Sequence, residues 1–341
     1  MSGPLAPALT LRVGDQEWTT QVLALDLQLA AAPLLNVLSA RLPAAAPFAG
    51  APGDAVRLTL DNGEQSATVF TGELATICRS YRDIELRALD GSGALARLRP
   101  AVTYEKIGAA NLARHLCAAA GVTVGDVEDS DPLVSYAADP GRNAWQHLAR
   151  VCAWNGTLAG IDSANRFTAR QINAAVADSA LRHGRETLAV RQCRGAENIE
   201  AIVVAGESAA ASASAASALR PVSDFFAGQR PDGPDLRHRW QFAPALRTAA
   251  AAAKAGAAAL RQQRALLRRG TLDVFLQPAL RPGAVFEVQD LPDGLERGPF
   301  WITGVNHRLS PAGARSRLHY AGGGAAFDPA ALLGALLGSV F

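Results

Sequence analysis

Short runs of alternating apolar and polar residues, closed by turn residues, occupy both ends of the chain and constrain its fold most strongly. Residues 9–13 end at Gly14, and residues 56–60 are followed by a turn at Gly63. A period of two residues is typical of strands, and Asp-Gly and Asn-Gly dipeptides favour tight antiparallel turns. Further runs predict strands at residues 68–77, 83–88, 272–276, 284–288, 300–309 and 315–320.

The middle of the chain has a helical period instead. Residues 107–120 predict a helix that stops at Gly121. A second helix is predicted to be capped by Asp139, with apolar residues at the spacing i, i+3, i+4 and i+7 before it ends at Gly156. A hairpin of residues 157–161 and 166–170 follows. This region is therefore predicted to be a small α+β module.

Strand patterns return after residue 174. Residues 186–190 and 199–205 predict two strands, and the Ala/Ser tract at residues 208–218 has the composition of a flexible loop. The alanine-rich segment 243–268 predicts a helix, because alanine has the highest helix propensity. Its stripe of small residues would allow it to lie close against a sheet.

The two β regions can be aligned with each other. The alignment places Gly53 over Gly283 and Gly72 over Gly304, with a strand and an Asp/Gly turn between them in both copies. The predicted fold class is α+β, mainly β, with two similar β-barrel domains flanking the small module. The predicted units are residues 1–100 (first barrel), 101–178 (α+β insert), 179–328 (second barrel with the Ala-rich helix) and 329–341 (apolar tail).

The charge balance and the lack of a long apolar segment argue against nucleic acid as a partner and against a membrane span. Lysine and arginine number 33 against 31 aspartates and glutamates, so the formal net charge of +2 provides no basic stripe for nucleic acid. No segment reaches the roughly 20 apolar residues of a membrane span, and the amino terminus lacks a signal-peptide pattern. The chain is therefore predicted to be soluble and to stay in the cytoplasm after synthesis.

The four cysteines predict neither a metal site nor a disulfide framework. They stand far apart, with no CxxC pair and no histidine at metal-ligand spacing. We expect all four to be small buried apolar residues in a reducing compartment. They are Cys78, Cys117, Cys152 and Cys193.

Several motifs resemble one family. Residues 53–122 contain Phe-Thr-Gly and an arginine-rich segment, and then Tyr104-Glu105 before an amphipathic helix. The helical motif at residues 145–150 is followed by Asn155-Gly156, and Leu-Arg-Pro-Gly at residues 280–283 leads into a strand. This pattern resembles the late control D proteins of contractile-tailed phages and the hub half of VgrG-type spike proteins. The resemblance spans nearly the whole chain.

The resemblance implies a structural baseplate hub without catalytic, cofactor or metal sites. Such a hub is a homotrimer that adapts a six-fold tail tube to a three-fold spike, in a virion or tail particle assembled in the bacterial cytoplasm. Its implied partners are the tail tube protein, the spike and other baseplate proteins. Because this sequence ends at Phe341 without a spike region, the spike is expected to be a separate protein. Residues 330–341 are a plausible contact for it.

An α/β-hydrolase-like esterase is one alternative. The Gly-Glu-Ser-Ala-Ala run around Ser208 imitates a nucleophile elbow, with alanine in place of the last glycine. Asp290 and one of His238, His307 or His319 would complete the triad. The chain lacks the alternating βαβ pattern and the HGGG-type oxyanion loop of that fold.

A ligand-binding module of the β-sandwich type is the other alternative, although no residue pattern names a ligand. His115 and His147 are predicted to lie at a helix surface or boundary, because neither has a second ligand at i+4. His307 and His319 are expected in a barrel wall. Four aromatic residues between positions 224 and 242 favour an anchored loop over a partner-binding one; they are Phe225, Phe226, Trp240 and Phe242.

Overall fold

The computed structural model describes residues 7–173, 176–197, 199–206 and 238–322, and this part of the chain is mainly β. The Ala/Ser tract, Ser208, Phe225, Phe226 and residues 330–341 lie outside the described residues. The first region consists of strands β1 (Ala8–Val13), β2 (Gln16–Trp18), β3 (Ala24–Ala30), β4 (Val37–Pro43), β5 (Ala55–Asp61), β6 (Ser66–Arg79) and β7 (Asp83–Leu89).

The middle region contains three helices and five strands. Its elements are α1 (Gly91–Arg97), β8 (Val102–Ile107), α2 (Ala109–Ala120), β9 (Thr123–Val127), β10 (Leu133–Ala138), α3 (Ala144–Asn155), β11 (Thr157–Ile161) and β12 (Arg166–Gln171). The predicted hairpin is confirmed as β11 and β12, which pair antiparallel. The prediction of a helix from Ile107 is wrong in its first residues, because Ile107 closes β8 and pairs with Leu133.

The last region returns to strands around one helix. Its elements are β13 (Ser179–Arg182), β14 (Thr187–Arg194), β15 (Ala201–Ala205), β16 (His238–Phe242), α4 (Ala249–Leu266), β17 (Arg268–Phe275), β18 (Val285–Gln289), β19 (Phe300–Ser310) and β20 (Gly313–Ala321). The alanine-rich helix is confirmed, but it starts later than predicted. Thr248 caps it and accepts a hydrogen bond from the amide of Ala251.

The start of α3 also differs from the prediction. Asn143, not Asp139, is the cap: its side chain accepts from the amide of Gln146, whose own side chain binds the Asn143 amide. This reciprocal pair is a capping box, which satisfies two amides that the first turn cannot. Asp139 instead closes the preceding turn through the amide of Gly141. The end of the helix at Gly156 is confirmed, with φ +73°.

Thirteen strands form one sheet that joins the two ends of the chain. Its main path runs β14-β17-β20-β19-β3-β4-β7-β6-β5-β1-β2, with β13 and β18 attached to the side through β19. The seam between the ends is the antiparallel pair β19–β3, from Gly304 opposite Ala30 to Leu309 opposite Leu25. The described residues therefore show an open, branched sheet and no closed barrel.

The two ends of this sheet have the same strand order. Six strands of the first end follow the order β1-β5-β6-β7-β4-β3, and six of the last end follow β13-β18-β19-β20-β17-β14. When the six strands of each set are numbered along the chain, both sets have the spatial order 1-4-5-6-3-2. The outermost pair differs, since β1–β5 is antiparallel and β13–β18 is parallel.

Matching irregularities fix which residues correspond. The pairing of β6 with β7 shifts by one residue at Ala75, and that of β19 with β20 shifts at Thr303. The amide of Gly53 donates to the carbonyl of Leu74, as that of Gly283 does to Ile302. Leu74 is thus equivalent to Ile302, so the register of the sequence alignment, which placed Gly72 over Gly304, is four residues off.

One apolar core is formed by buried side chains of the sheet strands from both ends of the chain. Leu58 and Phe70 from the first end lie in one buried cluster with Phe286 and Leu318 from the last. A second core packs α2, α3 and α4 with β15, and buries Trp145 and Phe167 edge to face. None of the helices in the described ranges is long and apolar enough to span a membrane.

Arg281 fastens the two ends together within the first core. Its guanidinium donates to the carbonyls of Val69 and Thr68, at 3.1 and 2.9 Å, and burial lowers its pKa from the usual value. We expect Arg281→Met to lower the free energy of unfolding by about 2 kcal/mol, since two strand carbonyls lose a charged donor. Urea unfolding measures this, with the exposed Arg57→Met as the matched control. An equal effect of the two changes would contradict the role of Arg281.

Candidate functional site

The described residues of the proposed esterase triad lie on separate elements. His238 starts β16, His307 lies in β19, and His319 lies on the exposed side of β20. Asp290 follows β18 and forms an ion pair with Arg182 at 3.3 Å. Ser208 is outside the described residues, so no triad geometry supports hydrolysis.

His307 belongs to the core rather than to a reactive centre. Its Nδ1 lies 2.8 Å from Ser316 Oγ, and its Nε2 has no hydrogen-bond partner among the described residues. Burial, with a smaller contribution from the Arg281 guanidinium, lowers the pKa of His307 to about 3. The imidazole is therefore neutral at physiological pH, because ionisation would leave a charge without water.

The two helix histidines have structural roles. The prediction that His147 lies at a helix surface or boundary is wrong: it is buried, with Nδ1 2.7 Å from the Tyr136 hydroxyl and Nε2 2.9 Å from the Asp139 carbonyl. His115 is exposed as predicted and lies beside the ring of Tyr104. Across the described ranges, no three His, Cys, Asp or Glu side chains are grouped to hold a metal ion.

The cysteines divide into two pairs. Cys117 and Cys152 are buried as predicted, and burial raises the pKa of their thiols to about 12 and about 11. For Cys78 and Cys193 the prediction of burial is wrong, because both are exposed on strands. All four are free thiols. The exposed pair can react in solution, whereas the buried thiols resist deprotonation.

A buried polar network joins the sheet to the helical module. Asp90 caps α1; its Oδ1 accepts from the amide and hydroxyl of Ser92, and its Oδ2 accepts from Asn36 Nδ2 at 2.5 Å. Burial raises the pKa of Asp90, and the hydrogen bonds act in the opposite direction. Asn165 adds an acceptor for the Gly91 amide at 2.6 Å. An adjacent cavity of about 200 Å³ is lined by Asp90, Arg97 and Asn165 among others.

The outward face of the sheet carries a polar ladder across the seam. Arg317 on β20 binds both oxygens of Asp273 on β17, at 2.6 and 2.8 Å, and this hydrogen bonding lowers the pKa of Asp273. Asp26 on β3 accepts from Asn306 and Arg308 on β19, at 2.9 and 2.7 Å. These polar pairs link neighbouring strands on the outward face of the sheet, on β17 and β20 and across the seam of β3 and β19.

The edges of β14 and of the end of β6 are among the strand edges that have no partner among the described residues. Over residues 189–194, β14 pairs with β17 on one side and with no described strand on the other. β6 pairs with β5 only up to Glu73 but with β7 up to Arg79, so residues 76–79 have a strand on one side only. Unpaired strand edges are templates for pairing with another chain. These edges and the polar face form the candidate site.

Solved structures with the same architecture are tail proteins. A 43 kDa tail protein of prophage MuSo2 from Shewanella oneidensis is 15% identical, with a TM-score of 0.67, over 92% of this chain and 98% of the other. The tail protein of Neisseria meningitidis MC58 is 16% identical, with a TM-score of 0.69, over 93% and 96%. This chain has their fold.

A third structure with the tail-protein fold belongs to the Escherichia coli c3393 protein. That protein is described as a component of the type VI secretion system with structural similarity to the T4 bacteriophage tail proteins gp27 and gp5. It is 11% identical, with a TM-score of 0.59, over 93% of this chain and 78% of the other. No protein-family model and no curated protein sequence matches this chain.

The sequence analysis missed both strands on the seam side of the first end of the sheet. β3 and β4 form the seam side of the first end, yet neither was predicted. Their pattern was visible, since Leu25, Leu27 and Leu29 alternate with polar residues and are buried. No Gly-rich turn marks their ends, so turn dipeptides alone could not find them.

Proposed function

We propose that this chain is the structural hub subunit of a contractile-tail baseplate or injection particle. Three copies would form a ring that adapts the six-fold tail tube to the three-fold spike. The observation that carries the proposal is the equal strand order of the two sheet ends. Three copies of a chain whose sheet has two similar ends present six similar units, which fits a six-fold partner on one side and a three-fold partner on the other.

The tail-protein fold and the motif resemblance support the finer assignment. We infer a hub of the late control D or VgrG type, with two barrel-like domains (residues 1–100 and 179–328) around an α+β insert (101–178). Its partners would be the tail tube protein, the spike protein, contacted by residues 330–341, and other baseplate proteins. The protein would reside in the virion or tail particle after assembly in the bacterial cytoplasm, and it would not bind nucleic acid specifically.

The proposed mechanism is geometric rather than catalytic. Among the described residues, His307 is buried against Ser316 and Asp290 is paired with Arg182 on another strand, so these two candidates are not grouped as an acid and a base. The proposal therefore includes no catalytic, cofactor or metal site. No described feature favours the alternatives of an esterase or a β-sandwich ligand-binding module.

The native mass of the purified full chain tests this function. We expect a stable trimer that appears in electron micrographs as a ring with six similar lobes and that hydrolyses no ester. A monomer, or a ring of another number, would contradict the hub. Ester turnover that disappears in Ser208→Ala would instead favour the hydrolase.

A further inference from the structure

The antiparallel seam between β3 and β19 has an equivalent position in the repeat at which no described strand pairs. β3 borders the first set of six strands, and β19 of the second set covers its edge. The strand equivalent to β3 is β14, and the strand equivalent to β19 is β6. We propose that β14 of one copy pairs antiparallel with residues 76–79 of β6 in a second copy, repeating the β3–β19 contact between chains. This inference rests on the proposed ring and names the interface that builds it.

The available edges match what this contact requires. β19 pairs with β18 only at Phe300 and Trp301, and its later residues, from Gly304 to Leu309, pair with β3 on the same side. β6 has the same division, because β5 leaves it after Glu73. Its end and the outer edge of β14 are the positions where the described residues of one chain lack the partner strand that the seam provides at the equivalent positions.

Residue equivalences give the register of the proposed pair. Leu74 corresponds to Ile302, so Cys78 corresponds to Asn306. Through their pairing with β4 and β17, Ala24 corresponds to Ala189, so Gln28 corresponds to Cys193. Within one chain Asn306 lies opposite Gln28. Between chains, Cys78 therefore lies opposite Cys193.

The two exposed thiols are thus directly opposed across the proposed interface. Opposed residues of an antiparallel pair have Cα atoms about 4.5–5.5 Å apart, which lies within the range that a disulfide spans. Cys78 and Cys193 are also the two exposed cysteines of the chain. One contact between copies brings both of these exposed thiols together.

The charges at this interface are complementary. Asp26 binds Arg308 within one chain, and its equivalent on β14 is Arg191. Within one chain, Asp26, Arg308 and Arg315 lie in one row across β3, β19 and β20. In the proposed register the equivalent row contains Arg191 of one copy and Asp83 of the second copy. Asp83 stands at the position equivalent to Arg315. Within its own chain, Asp83 accepts a hydrogen bond from the Ser80 hydroxyl at 2.6 Å and lies 3.8 Å from Arg41. The row of residues across the proposed interface therefore contains an arginine and an aspartate, as the row across the seam does, with Ser80 directly opposite Arg191.

The proposed contact joins different surfaces of the two copies. Such a head-to-tail interface continues from copy to copy and closes into a ring when the rotation allows it. The second copy is therefore the occupant that fits the free edge of β14. Self-pairing of two β14 strands would instead bring the positive charges of both strands together.

Disulfide trapping tests the register directly. Cys78→Ser and Cys193→Ser chains, carrying tags of different size, are co-expressed, and the purified oligomer is oxidised mildly. We expect a covalent dimer that contains one chain of each kind, and loss of that dimer when either variant is expressed alone. Cys117 and Cys152 do not compete, because burial raises the pKa of their thiols to about 12 and about 11.

The outcomes separate this interface from the ring itself. A trimeric native mass without the mixed disulfide would overturn the proposed register and leave the hub proposal intact. A crosslink in Cys78→Ser alone, between two copies of Cys193, would overturn it in favour of self-pairing. A monomeric native mass would overturn both. The wild-type trimer should give covalent species of two and three chains under the same oxidation.

Discussion

Asp90→Ala should lower the free energy of unfolding by about 3 kcal/mol. The change removes the acceptor of three buried donors, namely the Asn36 side chain and the amide and hydroxyl of Ser92. Each unpaired buried donor costs about 1–3 kcal/mol, and the loss of a helix cap costs about 1 kcal/mol, while relief of the desolvated carboxylate offsets part of this. Urea unfolding measures the change.

Asp126→Ala is the matched control for this prediction. Asp126 is an aspartate of the same module that forms an ion pair with Arg170 at 2.9 Å. Both of these side chains are largely exposed. Exposed pairs contribute about 0–1 kcal/mol, so this variant should be nearly as stable as the parent. If the two variants lost equal stability, the Asp90 network would not be what fastens α1 to the sheet.

Acid should destabilise the fold through His307. Its pKa is about 3 in the fold and 6.5 ordinarily, so the unfolded chain binds the proton first. The stabilising effect of the neutral imidazole is complete above pH 6.5 and is lost as the pH falls toward 3. One differential proton corresponds to about 1.4 kcal/mol per pH unit. We expect a loss of about 2–3 kcal/mol between pH 6.5 and pH 4.5.

His307→Gln isolates this effect, because glutamine does not titrate and keeps a polar group near Ser316. The variant should be less stable at pH 7, but the pH dependence of its stability should be shallower by about one proton between pH 6 and pH 4. Because the pKa of Asp90 is raised, its contribution to stability increases as the pH falls, opposite to that of His307. This contribution is the same in both proteins, so it cancels when their pH profiles are subtracted. Parallel pH profiles would show that His307 does not titrate as expected.

Turn residues and helix-ending glycines in the sequence correctly predicted the limits of some helices and strands. Gly156 ended α3 where expected, and the hairpin of β11 and β12 was recognised because turn residues separate two alternating runs. The start of α3 was misplaced by four residues, since Asp139 and Asn143 are both acceptable caps. Only the capping-box bond between Asn143 and Gln146 distinguishes them, and that bond depends on the direction from which the chain enters the helix.

The candidate site was less predictable than the elements that form it. The sequence indicated a repeat, but the aligned glycines gave a register four residues off, because loops of different length separate equivalent strands. Cys78 and Cys193 were expected to be buried, since cysteine is usually a buried residue. Their exposure follows from their outward position on β6 and β14, which depends on strand register.

By itself, the sequence determined the strand and helix periods, the turns that end them, and the presence of similar patterns at both ends. These properties depend on neighbours a few residues apart along the chain. Only the tertiary structure decided that β3 pairs with β19, that both ends share one core, and that β14 and the end of β6 have edges without a partner among the described strands. Pairing across some 280 residues depends on which edges meet once every face is buried, and no local pattern encodes that choice.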